Sequence, residues 1–434
     1  MDRRRFLLSS ASSLGALDAF SALDRPFTAR LESYLSVLER QSVFGAAENE
    51  DFWGWIRQSY TISANLINLN NGGVSPQPRI VQEAHIRHYE YANEAPTYYM
   101  WRILDQQREG LRQKLAGLCG VLPEEIAINR NTTEGLSTVI FGLDLSEGDE
   151  VVLSTFDYPN MVNAWKQREK RDKIKLVWIN IPQPVEDHES VVRLYEAAIT
   201  PRTKIVHITH LINWTGNILP CRAIADMAHK KGCEVIVDGA HSLAHIDFRI
   251  EDTGADYFAS SLHKWLGAPF GSGLLYIRKN KIKNIWPLVS SPQPEGDGIR
   301  KFENLGTRSF ASEMAIGTAI DFHNIIGTPR KEARLRYLKN YWAEKAVRLP
   351  KTTCYTSLKD THSCAIAAIG IEGWHAHQIE ARLFEKYKIH SVSIVHENVN
   401  GIRITPHVYT SLSDLDLLVK GLSEISQASP PAGK

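Results

Sequence analysis

Short β-rich runs alternate with helical stretches through most of the chain, and no other feature narrows the fold as much. The runs are 125–129, 150–155, 174–180, 203–209, 233–238, 255–261 and 271–278, with sequences such as IKLVWIN and CEVIVD. Helical patterning covers 79–94, 105–118, 133–143, 160–171, 190–199 and 221–231. Strands alternating with helices predict an α/β fold, a mostly parallel seven-stranded sheet with helices on both faces. The texture changes after a polar loop at 287–298. A long helical segment at 311–348 is followed by mixed strands and helices up to about 425, which predicts a smaller α+β C-terminal domain. Upstream, 28–67 reads as helical, because Leu31, Leu35 and Leu38 share one helix face. The expected organisation is a leader at 1–24, a helical segment at 25–70, a large domain at 71–320, a small domain at 321–427 and a disordered tail at 428–434.

Charge and composition exclude several classes. Lys and Arg number 50 against 49 Asp and Glu, a net charge of +1. Nucleic-acid binders usually carry a basic excess, so that partner is not expected. Five cysteines (Cys119, Cys221, Cys233, Cys354, Cys364) are odd in number and scattered, giving neither a disulfide framework nor a zinc pattern. No stretch is long and apolar enough for an ordinary membrane-spanning helix. The opening MDRRRFLLSSASSLGALDAF places Arg3 and Arg4 before Phe6, Leu7 and a weakly apolar run. That order fits a twin-arginine export signal, with a basic arm on a cytoplasmic protein as the alternative.

Asp238 and Lys264 carry the most chemistry. CEVIVD ends on Asp238, and Lys264 follows the next strand in ADYFASSLHK. In open α/β sheets, ligands bind outside the carboxyl ends of strands. A lysine there can form a Schiff base with a carbonyl cofactor. An aspartate beside a pyridine nitrogen keeps that nitrogen protonated and makes the ring an electron sink. Together they point to pyridoxal 5'-phosphate. Taken singly, an Asp after a strand caps a turn and a Lys is solvated, so the case rests on their neighbours. INRNTTEGLSTVIFGL reads strand, polar turn, helix, and Asn131, Thr132 and Thr133 open the helix where free N–H groups suit an anion. The same residues also read as a capping box, Asn131 as N-cap and Glu134 reaching back.

VDGAHSLAH and SSLHKWLGAPFGSGLLYIRK resemble the paired signatures of the class V aminotransferase family, fold-type I pyridoxal phosphate enzymes. HKWLGAPFGSG is nearest to the isopenicillin N epimerase-like branch, and the resemblance runs from about Leu69 to Leu418. It implies that Lys264 forms the Schiff base and later moves the substrate's α-proton, and that Asp238 pairs with the ring nitrogen. It places His241 and Asn213 near the ring hydroxyl and Tyr158 against the ring face. Thr132 and Thr133 would hold the phosphate, with help from Ser261 and His263. Thr307, in FENLGTRSF, would reach the phosphate of a neighbouring subunit, which implies a homodimer. Arg403, in NGIRITPHVY, would clamp an amino-acid carboxylate through its planar fork, with Asn71 as a second substrate contact.

Cysteine desulfurases share this fold and need a nucleophilic cysteine before the final strands, but KIHSVSIVHENVNGIRI contains none. The histidines make no HExxH motif, so no metal is expected. GAPFGSG lacks the GxGxxG spacing and precedes a strand, so its glycines are read as letting backbone pass close to the cofactor. The expected activity is that of a pyridoxal phosphate enzyme on an amino acid, an aminotransferase first, an epimerase or C–S lyase as the alternative. A non-catalytic ligand-binding protein on the same fold is the remote reading.

Overall fold

The computed structural model describes residues 42–430. The Arg3–Arg4 leader and the Leu31–Leu38 helix face lie outside them. The rest of the 28–67 segment is not one helix. It contains α1 (Val43–Ala47) and α2 (Glu50–Gln58), followed by irregular chain up to the short strand β1 (Ile67–Asn68). Within the described residues Asn49 breaks it, its Oδ1 accepting from Phe52 N at 3.1 Å, and Ser42 Oγ accepts from Gly45 N at 3.1 Å at the start of α1. Side-chain oxygens of this kind satisfy the first amides of a new helix. α3 (Arg79–Glu94) follows the sequence reading, but the helical path then continues through 96–104 into α4 (Asp105–Cys119), with a π turn over Tyr99–Leu104. Pro96 stands in the first turn of that continuation, where its missing N–H costs nothing.

The large sheet is built from β2 (Ile126–Asn129), β3 (Glu150–Ser154), β4 (Lys175–Ile179), β5 (Thr203–Thr209), β6 (Glu234–Asp238), β7 (Tyr257–Ser261) and β8 (Gly273–Ile277). Between them run α5 (Thr132–Gly142), α6 (Pro159–Asp172), α7 (His188–Ala198) and α8 (Cys221–Lys230). The strand order is β2-β8-β7-β6-β5-β3-β4, with β8 opposing both of its neighbours and every other pair parallel. Both faces are covered, and the side-chain alternation shows it. Val235 and Val237 of β6 join one apolar cluster with Val206, Ile208 and Phe258, while Ile236 joins the other with Ile205, Tyr257 and Ala259. Continuous apolar runs are what a doubly covered parallel sheet requires. Each buried Val or Ile contributes about 2 kcal/mol relative to exposure, so these strands are held in place before any polar residue at their ends is considered.

The helical segment at 311–348 divides into α9 (Phe310–Ile326) and α10 (Thr328–Ala346) at Gly327, whose φ of 84° a side chain would strain. After it come β9 (Thr352–Cys354), β10 (Ala367–Ile371), α11 (Ala376–Tyr387), β11 (Ile389–His390), β12 (Val392–His396), β13 (Val399–Ile404) and α12 (Leu412–Gln427). β12-β13-β10-β9 form an antiparallel sheet. Leu338 and Trp342, Ile379 and Leu383, and Leu415 and Leu418 pack on it from three helices, making the core of the smaller α+β domain. β1 pairs in parallel with β11, and Thr405 N donates to the Leu69 carbonyl at 2.7 Å. The segment leading into the large sheet is thereby stitched to the small domain.

Candidate active site

Register brings the site together. Thr209, Asp238 and Ala259 lie side by side across β5, β6 and β7, and Ser261, Gly273 and Asn129 across β7, β8 and β2. The carboxyl ends of the parallel strands therefore make one rim, and the loops that follow β2, β3, β5, β6 and β7 carry candidate residues. Asp238 is buried and accepts from Ala240 N at 2.9 Å. Its pKa is raised by burial, an effect opposed by that N–H and by the charge of Lys264. Lys264 Nζ lies 3.0 Å from His241 Nε2. Burial pushes the lysine down to about 8, with Asp238 pulling the other way and Arg403 adding to the depression. Burial, and then the charges of Lys264 and Arg403, hold His241 well below the usual histidine range. A neutral imidazole can accept from the amine through Nε2, which leaves the proton on Nδ1, and Nδ1 is buried without a partner.

The second cluster forms around the start of α5. Thr132 N donates to Ser261 Oγ at 3.1 Å, and the two hydroxyl oxygens are 2.8 Å apart. Thr133 stands next on the same opening turn, at a helix N-terminus of the kind that suits a phosphate. Asn131 caps the helix as expected, accepting from Glu134 N at 2.9 Å. Glu134 reaches back one residue further than a capping box demands, accepting from Arg130 N at 2.7 Å. His263 is turned to the Ser272 carbonyl, 3.0 Å from its Nδ1. Of the GAPFGSG glycines, Gly273 is the close approach: a Cβ there would lie 2.7 Å from the Asn131 backbone. Thr307 is exposed, and no hydrogen bond ties it to Thr132 or Ser261 within the chain. Its neighbours Gly306 and Arg308 line a separate cavity of about 410 Å³ with Trp101 and Asp105.

Arg403 projects from β13 of the small domain toward the same rim. It is 8% exposed and donates to the Asn213 carbonyl at 2.8 Å and to Asn70 Oδ1 at 2.9 Å. Its Nε has no partner, and no carboxylate pairs with it among the described residues. Burial lowers it to about 10, and Tyr158, at the N-cap of α6, faces it. Asn71, expected at the substrate, is held by partners within the chain. Asn71 is 0% exposed, and its amide is spent on the carbonyls of Asn68 and Thr405, while its Oδ1 accepts from Tyr409 Oη at 2.5 Å. Asn71 is a tie between the two domains, and the neighbouring Asn70 is the residue that touches Arg403.

Pyridoxal 5'-phosphate fits these residues. Among the buried polar atoms at the rim that lack partners are His241 Nδ1, Asn213 Oδ1 and Arg403 Nε. Buried polar groups left unpaired cost free energy unless a ligand satisfies them. Two further residues were not read from the sequence. Asn70 orients Arg403, and Asp157 is buried beside Asp238. Thr209 Oγ1 donates to Asp157 at 2.7 Å, and burial raises its carboxyl to about 7. The strand end STFDYPN offered Asp157 as plainly as Tyr158, but nothing local marks a carboxylate as facing another strand's carboxylate.

Comparison with known proteins bears on this geometry. The family model described as aminotransferase class V matches residues 67–418. The isopenicillin N epimerase of Streptomyces clavuligerus is 26% identical over 391 residues, covering 86% of this chain and 98% of that one. A probable cysteine desulfurase of Halalkalibacterium halodurans is 27% identical, covering 83% of this chain and 93% of that one. Among solved structures, a cystine C–S lyase in complex with its product cysteine persulfide superposes with a TM-score of 0.75 at 24% identity, covering 83% of this chain and 98% of that one.

Proposed function

The chain belongs to the class V aminotransferase family, a family of pyridoxal phosphate enzymes, and from that premise we propose that it acts on an amino acid by aminotransfer. Arg403 carries the reading: a buried guanidinium without a carboxylate partner, close enough to Lys264 to depress its pKa. A planar fork of this kind is completed by the carboxylate of a substrate. When bound, pyridoxal 5'-phosphate supplies a ring that withdraws electrons from the Cα of an attached amino acid. Lys264, at about 8, keeps a usable fraction of free amine near neutral pH, so it would hold the cofactor through its aldehyde and could move a proton at the substrate's Cα. His241 orients that amine, and Asp238 would pair with the ring nitrogen and keep it protonated. Thr132, Thr133, Ser261 and His263 would hold the phosphate, Asn213 and His241 the ring hydroxyl, and Tyr158 the ring face.

Aminotransfer is placed first because the buried Asp238 suits a protonated ring nitrogen, which strengthens the withdrawal of electrons from Cα. Epimerisation is the second reading, favoured by the relatives of that description. Thiol-dependent desulfuration has little support. No cysteine lies in 388–404, and Cys364, packed behind His245, is pushed up to about 12 by burial. We also propose a homodimer in which Thr307 completes the partner's phosphate site, and export through the Arg3–Arg4 leader.

An amino-acid panel separates the readings. Aminotransfer releases one equivalent of keto acid and removes the cofactor's visible band, which a keto-acid acceptor restores. Inversion at Cα with solvent hydrogen incorporated and no keto acid would replace aminotransfer by epimerisation. Keto acid with sulfide or ammonia and no acceptor requirement would indicate a lyase. A monomer in sedimentation that binds cofactor and turns over would exclude the shared site.

A further inference from the structure

Behind Lys264 lies a buried group of nitrogen-bearing side chains that the chemistry above does not use. Trp265, the next residue in the chain, is buried between two imidazoles. His245 stacks on it at 3.8 Å with 18° between planes, and His407 at 5.8 Å with 11°. The Trp265 main-chain carbonyl accepts from Lys331 Nζ on α10. Lys331 is 3% exposed, and no carboxylate pairs with it among the described residues. His407 is 0% exposed, its ring nitrogens lack a formed hydrogen bond, and the acceptor it faces is the same Trp265 carbonyl. His323, on α9, lies 2.9 Å from Thr328 Oγ1 through Nε2, and its Nδ1 is unpartnered. His245 is fixed at both nitrogens: Ala365 N donates to Nε2 at 2.8 Å, so Nδ1 carries the proton and donates to the His241 carbonyl at 2.7 Å.

Four basic groups in one apolar pocket cannot all be charged. Burial without a counter-charge pushes Lys331 down to about 7. Burial, then the charge of Lys331, holds His323 and His407 well below the usual histidine range. The other charged groups of α10 near this level are committed elsewhere. Glu332 pairs with Arg336 and the Asp247 N–H, and Arg334 pairs with Glu50. An uncharged amine suits the pocket, since Lys331 Nζ is given one carbonyl acceptor, whereas an ammonium would need three.

We propose that Lys331 is a positioning residue for Lys264: it anchors the Trp265 carbonyl, and so the Lys264–Trp265 segment, while His245 ties the same indole to the stretch that carries His241. The reactive amine is thereby fixed from both ends, through its own backbone and through the imidazole that touches Nζ. The inference rests on Lys264 being the residue that binds the cofactor.

Lys331→Met keeps the length and removes the donor. In the cofactor-free protein, the pH midpoint for capture of pyridoxal 5'-phosphate, read by absorbance, should shift by half a unit or more. In the loaded enzyme, kcat should fall about tenfold with KM within about threefold, because misplacement of a reacting group acts on the transition state. Lys339→Met is the control. Lys339 is also buried, two turns further along α10, and bonds Ser363 Oγ at 2.9 Å instead of Trp265. It should lose stability comparably and leave the capture midpoint at the wild-type value. Lys331→Gln, with a shorter uncharged donor, should shift the midpoint less than Met does, and it serves if Met does not fold. A midpoint unchanged in every folded Lys331 variant, or shifted as much by Lys339→Met, overturns the proposal. A Lys264→Ala protein that still holds the cofactor covalently would instead overturn the assignment of Lys264, whatever the Lys331 variants do.

Discussion

Two of the regions that bury arginine in this molecule do so in opposite ways. Under the large sheet, Arg108 and Arg112 of α4 are 1% and 2% exposed and converge on Glu303. Arg112 NH1 meets Glu303 Oε1 at 2.6 Å, Arg108 NH1 meets Oε2 at 3.1 Å, and Arg108 Nε meets Glu313 at 2.7 Å. Ile128 N adds a further bond to Glu303 at 2.6 Å. At the strand rim, Arg403 is nearly as deep, yet it has only a carbonyl and an amide oxygen. Burial alone would raise the Glu303 carboxyl, but the bonds and charges of Arg112 and Arg108 outweigh it and hold it down. At the rim the shifts run the other way, since burial leaves Lys264 and Arg403 depressed and Asp238 raised. A completed charge cluster is already spent on the fold, whereas an incomplete one is held ready for a ligand.

The comparison can be broken from either side. The largest effect is expected from Lys264→Ala, which should abolish borohydride-fixable cofactor and lower turnover at least about a thousandfold, while the thermal midpoint of the cofactor-free protein stays the same or rises. A fall in stability like that of a core cavity would show that the rim is structural after all. Next comes Glu303→Gln, which strips the counter-charge from two buried arginines. It should cost about 3 kcal/mol of unfolding free energy in denaturant titration, with capture of pyridoxal 5'-phosphate by the folded fraction unaltered. Arg403→Gln should invert that pattern. KM for the amino-acid substrate should rise about a hundredfold, as befits a lost charge-assisted bidentate contact, with stability changed by less than about 1 kcal/mol. Equal losses of stability in these two variants would erase the distinction between the regions.

The smallest effect is in pH. Glu303 has a depressed pKa, so its contribution to stability is complete above its unfolded value of about 4.3 and is lost as pH falls through the lower folded value. Lys264 and Lys331 are also depressed, but they are bases. Between their folded values of about 8 and 7 and the unfolded value of about 10.4, the unfolded chain binds more protons, so unfolding free energy rises with pH across that window. In the cofactor-free protein, Glu303→Gln should flatten the acid limb and leave the alkaline rise. Lys264→Ala should reduce the slope between about pH 8 and 10 and leave the acid limb. Loss of both limbs in one variant would show that the two regions titrate as one.

The alternation of apolar runs with helical stretches was enough to specify the sheet, because each strand is covered on both faces and its composition says so locally. Asp238, Lys264 and Thr132 stand at the ends of those runs and were legible for the same reason, since a strand that ends in a loop places the next residues at the rim, whereas Tyr158 was marked only by the family resemblance. Over the described part of 28–67 the helical reading gave way because Asn49 caps a new helix and the chain after Gln58 is irregular, and the helical path through 96–104 was missed. Tertiary structure alone decided the rest. Asn71 and Asn70 are indistinguishable in the sequence NLNNGG, and only the pairing of β1 with β11 turns Asn70 toward Arg403 and Asn71 toward Thr405 and Tyr409. Lys331 lies in a helix crowded with charge, and nothing in TPRKEARLRYLKN marks which lysine faces Trp265. The side-chain period and the strand ends are local properties that a sequence carries, whereas the partner of a buried charge belongs to a distant segment, and packing decides which one arrives.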